Sequence, residues 1–203
     1  KTKSVAKFFY ENSSLSTDSL MVYTKDRINV LGTIVGELDS QSICVLDAGL
    51  YGTRDGYCLD HIIVSDQKGG PLQISKDQIK EIESKIINSL EKEKLNPKLV
   101  KKKMPRHFLT LKKDTKIEIS HDMKNRWTQL DIKTADRPGL LSSICSVFVK
   151  NNASIKKARI STYGERAEDR FCISSLEETP FLKKPALDKL ISELRESLDP
   201  KNH

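Results

Sequence analysis

The residues with the clearest chemical potential form a short loop, Asp136-Arg137-Pro138-Gly139-Leu140, which is followed by an amphipathic segment. A helix that begins here presents unpaired backbone N–H groups and the positive end of its dipole, which favour a carboxylate. The Asp136 side chain is placed to accept hydrogen bonds from an ammonium group, and Gly139 permits close approach. The loop thus predicts a site for a zwitterionic amino acid. The alternative is that Asp136 only caps the helix and Pro-Gly only shapes the turn.

The same pattern occurs earlier in the chain, where Asp26-Arg27-Ile28-Asn29-Val30 precedes a second amphipathic segment. Apolar positions downstream of the two loops match, and Asp60 aligns with Asp169. Two copies of one module are therefore predicted, and the recurrence of Asp-Arg favours a functional role. The first loop lacks the proline of the second, so we expect it to be less preorganised.

Each copy has the pattern of a strand, a helix, two strands and a second helix. Pro138 is expected at the first helical position of copy two, and Pro185 opens its last helix. In copy one, Ser75 and Gln78 form a capping-box signature before the last helix. The charged run 165–169 is predicted to be a solvated hairpin turn. The predicted strands are Leu20–Tyr23, Ile43–Thr53 and Tyr57–Ser65, then Leu130–Lys133, Ser154–Thr162 and Asp169–Ser174.

This order of elements predicts an α+β protein with two ferredoxin-like βαββαβ-type sandwiches, each an antiparallel sheet with its helices on one face. We expect Val5–Tyr10 and Thr115–Ser120 to fill the fourth-strand positions by hairpin pairing with the strands that follow them. The alternative is that Thr115–Ser120 is the last strand of copy one, which leaves copy two short. The predicted domains are 1–96 and 114–203, joined by a basic linker, 97–113.

The surplus of positive charge in the chain lies in that linker. The formal net charge is +7, and seven basic residues with no acidic residue lie between Lys98 and Lys113. Some ferredoxin-like sheets bind RNA by stacking bases on exposed aromatic side chains. The central strands here carry mostly aliphatic segments, Leu20–Val22, Ile62–Val64 and Phe171–Ile173. We therefore expect no nucleic-acid partner.

Neither the cysteines nor the histidines have the spacing of a metal site. The four cysteines contain no C-x-x-C pair, and the four histidines are scattered. The longest apolar stretches are too short for a transmembrane helix or a signal peptide. We expect a cytoplasmic protein without a membrane partner, a metal or catalytic residues in this chain.

The Asp-Arg-Pro-Gly-Leu loop within a βαββα module resembles the ACT domain. Further segments are similar to the carboxy-terminal tandem ACT region of bifunctional uridylyltransferase/uridylyl-removing enzymes, which modify the nitrogen-regulatory protein PII. The resemblance extends over about residues 18–198. It is carried by Thr53–Asp60, Pro105–Phe108 and Ala158–Asp169.

The resemblance implies glutamine as the effector, bound by the two loops. Asp136 is expected to hold the ammonium group, and Asn29 is a candidate for the side-chain amide. Ile155 and Ala158 are candidates for the apolar part of the site, and the alternative is that both belong to the core. The complete set of expected ligand-binding residues is Asp136, Arg137, Pro138, Gly139, Leu140, Asp26, Arg27, Ile28, Asn29, Val30, Ile155 and Ala158.

Enzymes of this family are longer and contain nucleotidyltransferase and HD-type phosphohydrolase domains that imply UTP and Mg²⁺. Neither domain's motifs occur in this sequence, and its first residue is Lys1. The resemblance therefore implies the regulatory part of such an enzyme, with the catalytic domains and PII as partners. ACT sheets also suggest a homodimer, with the edge strands as interfaces. The alternative is a free-standing tandem-ACT regulator that binds a protein partner.

Overall fold

The computed structural model describes residues 3–10, 18–93, 95, 115–137, 139–163 and 165–199. The expected linker, the expected domain boundaries and Pro138 lie outside these residues. The chain divides into two compact units, Lys1–Lys98 and Leu99–His203.

The first unit is a four-stranded antiparallel sheet with two helices. The sheet has the strand order β1-β2-β4-β3. Alternate residues of β2 and β4 are buried under the helices, which pack against each other. The elements are β1 (Val5–Tyr10), β2 (Asp18–Lys25), α1 (Val30–Ser40), β3 (Cys44–Gly52), β4 (Tyr57–Ser65) and α2 (Lys76–Leu90).

The second unit repeats this arrangement. Its strand order is β5-β6-β9-β7, and the short strand β8 pairs with β9. The core contains Phe148 and Phe171, whose rings meet edge to face at 5.1 Å. The elements are β5 (Lys116–Asp122), β6 (Trp127–Ala135), α3 (Leu140–Lys150), β7 (Ser154–Arg159), β8 (Thr162–Tyr163), β9 (Arg166–Ser174) and α4 (Lys184–Leu198). The predicted α+β class, with two antiparallel sheets and four helices, is thereby confirmed.

The hairpin hypothesis for the fourth strands is confirmed in both units. Val5 lies opposite Tyr23, and Lys116 lies opposite Lys133, each in an antiparallel register. The start of β1 is held by the Ser4 N–H, which donates to Glu91 Oε1 at 2.8 Å. The alternative assignment of Thr115–Ser120 to copy one is therefore wrong.

The helix termini follow the sequence signals in α2 and α4 but not in α3. The capping box is formed: Gln78 N–H donates to Ser75 Oγ at 3.2 Å, and Ser75 N–H donates to Gln78 Oε1 at 2.8 Å. Helix α4 has its proline in the first turn, as expected. Helix α3 begins at Leu140 with Gly139 as its N-cap. The expectation that Pro138 opens this helix is wrong, because the left-handed Gly139 delays the helical conformation.

The charged run 165–169 is not a solvated turn. Strand β9 begins at Arg166, and Asp169 is 3% exposed on its helix-facing side. The reason is register: Ala167 and Asp169 pair with Thr134 and Ile132 of β6, so the ladder continues through the charged residues. The single strand predicted over 154–162 is likewise wrong, because it divides into β7 and β8.

Candidate functional site

The two Asp-Arg loops enter their helices through the same backbone conformation. Asn29 caps α1 with φ 72°, and Gly139 caps α3 with φ 79°. Both angles are left-handed, a region that asparagine and glycine tolerate better than other residues. Neither helix has a side-chain N-cap hydrogen bond. Each helix therefore starts without a side chain that occupies its first-turn N–H groups.

The arginine of each loop contacts the end of the unit's second helix. Arg27 Nη1 donates to the Lys92 carbonyl at 2.9 Å, and Nη2 donates to the Leu90 carbonyl. Arg137 Nη2 donates to the Ser197 carbonyl in the last turn of α4. Burial lowers the pKa of Arg137 from its usual range. A guanidinium suits a helix C-terminus, where carbonyl groups lack partners. Both arginines thus connect the loop to the end of a helix.

A second aspartate lies close to each loop aspartate. Asp60 on β4 is 2% exposed, and its pKa is raised to about 7. Burial is the larger cause, and repulsion from Asp26 adds to it. Burial raises the pKa of Asp169 on β9 to about 7 as well, with a smaller contribution from Asp136. Burial also raises the pKa of Asp136. Each unit therefore places two carboxyl groups near the start of its first helix.

These carboxyl groups have different hydrogen bonds in the two units. Asp60 is hydrogen-bonded to the buried Cys58 thiol, whose pKa is raised by burial. Asp169 Oδ1 accepts from Ser161 N–H at 3.3 Å. An ammonium group that approached either carboxyl pair would favour its ionised form.

Unsatisfied polar atoms concentrate at the loop of the first unit. The described residues contain five buried side-chain polar atoms without a hydrogen-bond partner. A buried polar atom without a partner costs about 1–3 kcal/mol, so these atoms favour a bound polar molecule. Four of the five are Arg27 Nε, Asn29 Oδ1, Thr33 Oγ1 and Asp60 Oδ1, and the fifth is Ser174 Oγ.

The other expected residues of the first loop differ in exposure. Asp26 is exposed, and its N–H donates to the Gly56 carbonyl at 2.9 Å. Ile28 is 39% exposed, whereas Asn29 and Val30 are buried. Asn29 Nδ2 donates to the Leu95 carbonyl at 3.1 Å, which leaves its Oδ1 as the available atom.

In the second unit, Asp136 is half-buried and its N–H donates to the Glu165 carbonyl at 2.9 Å. Leu140 is buried, and its N–H donates to the Arg137 carbonyl at 3.1 Å. Ala158 is buried opposite Phe171, as expected of a core residue.

Ile155 is not close to the second loop along the sheet. It lies opposite Ile173 on β9, whereas the last residue of β6 before the loop lies opposite Arg166. Seven residues separate these two positions on β9, a distance of about 24 Å at ~3.4 Å per residue.

Asp60 and Asp169 are the residues that sequence analysis missed as site candidates. The sequence contained a signal for Asp60, because alternate residues of β4 face the same side of the sheet. Cys58, Ile62 and Val64 share that side with Asp60, and all three are buried. A carboxylate within an apolar set on one strand face indicates a buried ionisable group.

Two aromatic side chains lie on the open face of the first unit's central strands. The aliphatic residues quoted from the central strands mostly face the helices, whereas Tyr23 of β2 and Tyr57 of β4 lie on the open face. Their rings stack at 5.2 Å with an interplanar angle of 7°. The central strands of the first unit therefore carry one aromatic pair beside their aliphatic segments, and the absence of a nucleic-acid partner stays a prediction.

The part of the chain that the structure describes has neither clustered metal ligands nor a membrane-spanning helix. Within the described ranges, no group of three or more His, Cys, Asp or Glu side chains is arranged to hold a metal ion. No helix in that part combines the length and apolar character needed to cross a bilayer.

Comparison with solved structures adds no argument about the fold. An aspartate kinase from Synechocystis is 13% identical, with 91% of this chain and 28% of that chain covered and a TM-score of 0.49. A protein of unknown function from Galdieria sulphuraria is 14% identical, with 98% and 94% covered and a TM-score of 0.30. Both TM-scores are too low to carry a conclusion. No family model matches the chain.

Sequence comparison identifies bifunctional uridylyltransferase/uridylyl-removing enzymes as homologues. A bifunctional uridylyltransferase/uridylyl-removing enzyme of a Psychrobacter species is 30% identical over 192 residues, 94% of this chain and 21% of the relative. The corresponding enzyme of Photobacterium profundum is 32% identical over 165 residues, 81% of this chain and 18% of the relative. The chain spans about one fifth of the length of these relatives. It therefore belongs, as a homologue of one region, to the family of bifunctional uridylyltransferase/uridylyl-removing enzymes.

Proposed function

We propose that this chain is the amino-acid-sensing regulatory region of an enzyme that uridylylates and deuridylylates PII, with glutamine as its effector. The observation that carries the proposal is the homology over 94% of the chain to these enzymes. The two carboxyl pairs beside helix starts without side-chain caps supply chemistry that suits an amino acid. Catalysis is assigned to other domains of the longer protein.

The proposed binding mode uses complementary charges at each end of the loop. The carboxylate of glutamine accepts from first-turn N–H groups of α1 or α3. Its ammonium group binds Asp26 or Asp136 and lowers the pKa of the neighbouring carboxyl pair. In the first unit, the side-chain amide of glutamine donates to the unpartnered Asn29 Oδ1. This last contact favours glutamine over glutamate, because a carboxylate cannot donate to that oxygen.

Regulation requires that glutamine bind one conformation of the longer protein better than another. The proposed consequence is suppression of uridylyl addition to PII and promotion of its removal. The proposed partners are the catalytic domains, which would use UTP and Mg²⁺, and PII itself.

Calorimetric titration of the full chain with L-glutamine tests the proposal. Asp136→Ala and Asp26→Ala remove the proposed ammonium partners, and each is expected to weaken binding at its own site by roughly tenfold or more, since hydrogen bonds to charged groups contribute about 1.5–3 kcal/mol. Asp188→Ala is the matched control, because Asp188 is exposed in the first half of α4, whereas the second loop contacts the last turn of that helix.

Two outcomes contradict the proposal in different ways. Absence of glutamine binding, together with a rise of the melting temperature on adding another amino acid, refutes the choice of effector. Unchanged glutamine affinity in both loop variants refutes the site.

A further inference from the structure

Charged side chains form two rows across the open face of the second unit's sheet. Residues directly opposite each other on adjacent strands project to the same face, so the pairing register defines the rows. We call these side chains the charged face. Its first row is Glu118, Asp131, Arg170 and Arg159, and its second row is Lys116, Lys133 and Glu168.

Like charges are direct neighbours within the first row. Glu118 lies opposite Asp131, and Arg170 lies opposite Arg159. Like charges in this position destabilise a sheet. The two inner residues relieve each other, because Arg170 Nε lies 2.5 Å from Asp131 Oδ1.

The two outer residues of that row have no such relief. Glu118 and Arg159 are both exposed, at opposite edges of the sheet. Among the described residues, neither forms an ion pair. Three strand spacings separate them, about 14 Å, so they are too far apart to pair with each other.

If the first row of one copy is reversed and placed over the same row of a second copy, each charge meets a charge of opposite sign. From β5 to β7 it reads negative, negative, positive, positive. A two-fold axis parallel to the strands places β5 of one copy over β7 of another, so Glu118 faces the partner's Arg159. The same rotation places Asp131 over the partner's Arg170. Each charge then gains an opposite neighbour.

The inner pair of the second row fits the same symmetry. Lys116 and Lys133 are like-charged neighbours, and Lys133 Nζ lies 3.7 Å from Glu168 Oε2 within one copy. The rotation that matches the first row places Lys133 over the partner's Glu168. The inner pair of the second row therefore agrees with the arrangement of the first row, whereas Lys116 gains no opposite neighbour and Glu168 is also paired with Arg166 Nε at 3.1 Å.

Two arginines and an exposed tyrosine surround a depression on the charged face. A depression of about 270 Å³ lies over both rows and is rimmed by Arg159, Arg170 and Tyr163. Tyr163 is 65% exposed. Tyrosine and arginine are enriched at protein interfaces, and two stacked sheets lie about 10 Å apart, within reach of Glu and Arg side chains from both copies.

We propose that two copies of this chain associate through the charged face, related by a two-fold axis parallel to its strands. The proposal goes beyond glutamine sensing and does not depend on it. It differs from dimerisation through edge strands, because backbone pairing plays no part in it. Charge complementarity fixes the register of the two copies, and the association weakens as salt screens the charges.

Sedimentation equilibrium of the full chain, in about 0.05 M and about 0.5 M NaCl, tests the proposal, since the Debye length falls between these salt concentrations. Dimers are expected at the lower salt concentration and a shift toward monomers at the higher one. Glu118→Arg and Arg159→Glu, made separately, are each expected to raise the dimer Kd by at least about tenfold, because each places like charges in contact twice. Asp188→Arg, on exposed α4, is the control and leaves the dimer unchanged.

Mixing the two defective variants gives the decisive measurement. In the mixed dimer, Arg at 118 of one copy faces Glu at 159 of the other, and the second contact keeps its native residues. We expect the mixture to form heterodimers with a Kd within about threefold of the unaltered chain. This recovery also shows that both variants are folded. A chain that is monomeric at the lower salt concentration, or a dimer that both reversals leave intact, overturns the proposal.

Discussion

Asp60 and Asp169 occupy equivalent positions on the central strands of the two units, where water is excluded and an ionised carboxylate is unfavourable. Their raised pKa values mean that the folded protein holds protons that the unfolded chain releases above its ordinary carboxyl pKa. This is a thermodynamic burden that a core leucine would not impose. It is consistent with a role in ligand binding, since a ligand's ammonium group offsets the repulsion within each pair.

The first prediction concerns stability as a function of pH. The folded-state pKa of Asp60 is about 7, above the ordinary value of 3.8, so the folded state binds more protons between these limits. Stability therefore falls as pH rises from about 4 to about 7, then stays level. Asp60→Asn removes this loss, which is at most about 4 kcal/mol. Thermal melts at several pH values are expected to show a variant advantage that grows with pH.

Asp188→Asn serves as the control for that series, because its side chain is exposed. Its melting temperature is expected to follow the unaltered chain at every pH. Parallel curves for Asp60→Asn and the unaltered chain would mean that the pKa of Asp60 is not raised in the folded state.

Elements that are distant in sequence meet at the Asp-Arg loops. Arg27 connects the β2–α1 loop to the last residues of α2, and Arg137 makes the equivalent connection to α4. The recurrence of Asp-Arg thus has a structural reason for its arginine, whereas its aspartate lies beside a second carboxyl group. The arginine of the motif therefore contacts a helix end, whereas the aspartate lies next to another carboxyl group.

Arg27→Ala tests this structural contribution. Two hydrogen bonds to backbone carbonyls are lost, so we expect the free energy of unfolding to fall by about 1–3 kcal/mol in denaturant titrations. Arg54→Ala is the control, because Arg54 is exposed in the β3–β4 turn. Equal, small effects of both substitutions would refute the anchoring role of Arg27.

The distribution of charge and aromatic groups over the whole molecule bears on nucleic acid. The net charge of +7 equals the surplus between Lys98 and Lys113, and the charged face of the second unit mixes both signs. The rings of Tyr23 and Tyr57 stack on each other, so each ring has only one face left on which a base could stack. These features favour weak, nonspecific electrostatic attraction over a base-stacking site.

We therefore expect no retention on a single-stranded RNA column at about 0.15 M salt, where the Debye length is about 8 Å. Should the chain be retained, Tyr23→Ala distinguishes the causes. Loss of retention in this variant would establish base stacking on the first sheet, whereas unchanged retention would indicate the basic segment.

The sequence by itself determined the order of elements, their approximate limits and the internal repeat. These features depend on local periodicity, on capping signals such as Ser75 and Gln78, and on proline positions, all of which act within a few residues. The hairpin pairing of Val5–Tyr10 was also accessible, because consecutive strands tend to pair.

Only the tertiary structure decided which side chains meet. The approach of Asp60 to Asp26, the reach of Arg137 to Ser197 and the sign pattern from Glu118 to Arg159 all depend on the register between distant segments. A shift of one residue moves every side chain of a strand to the opposite face, so a local pattern leaves these contacts open. The strand limits near Arg166 were missed for the same reason, since ladder hydrogen bonds with β6 override the local preference of a charged run for a turn.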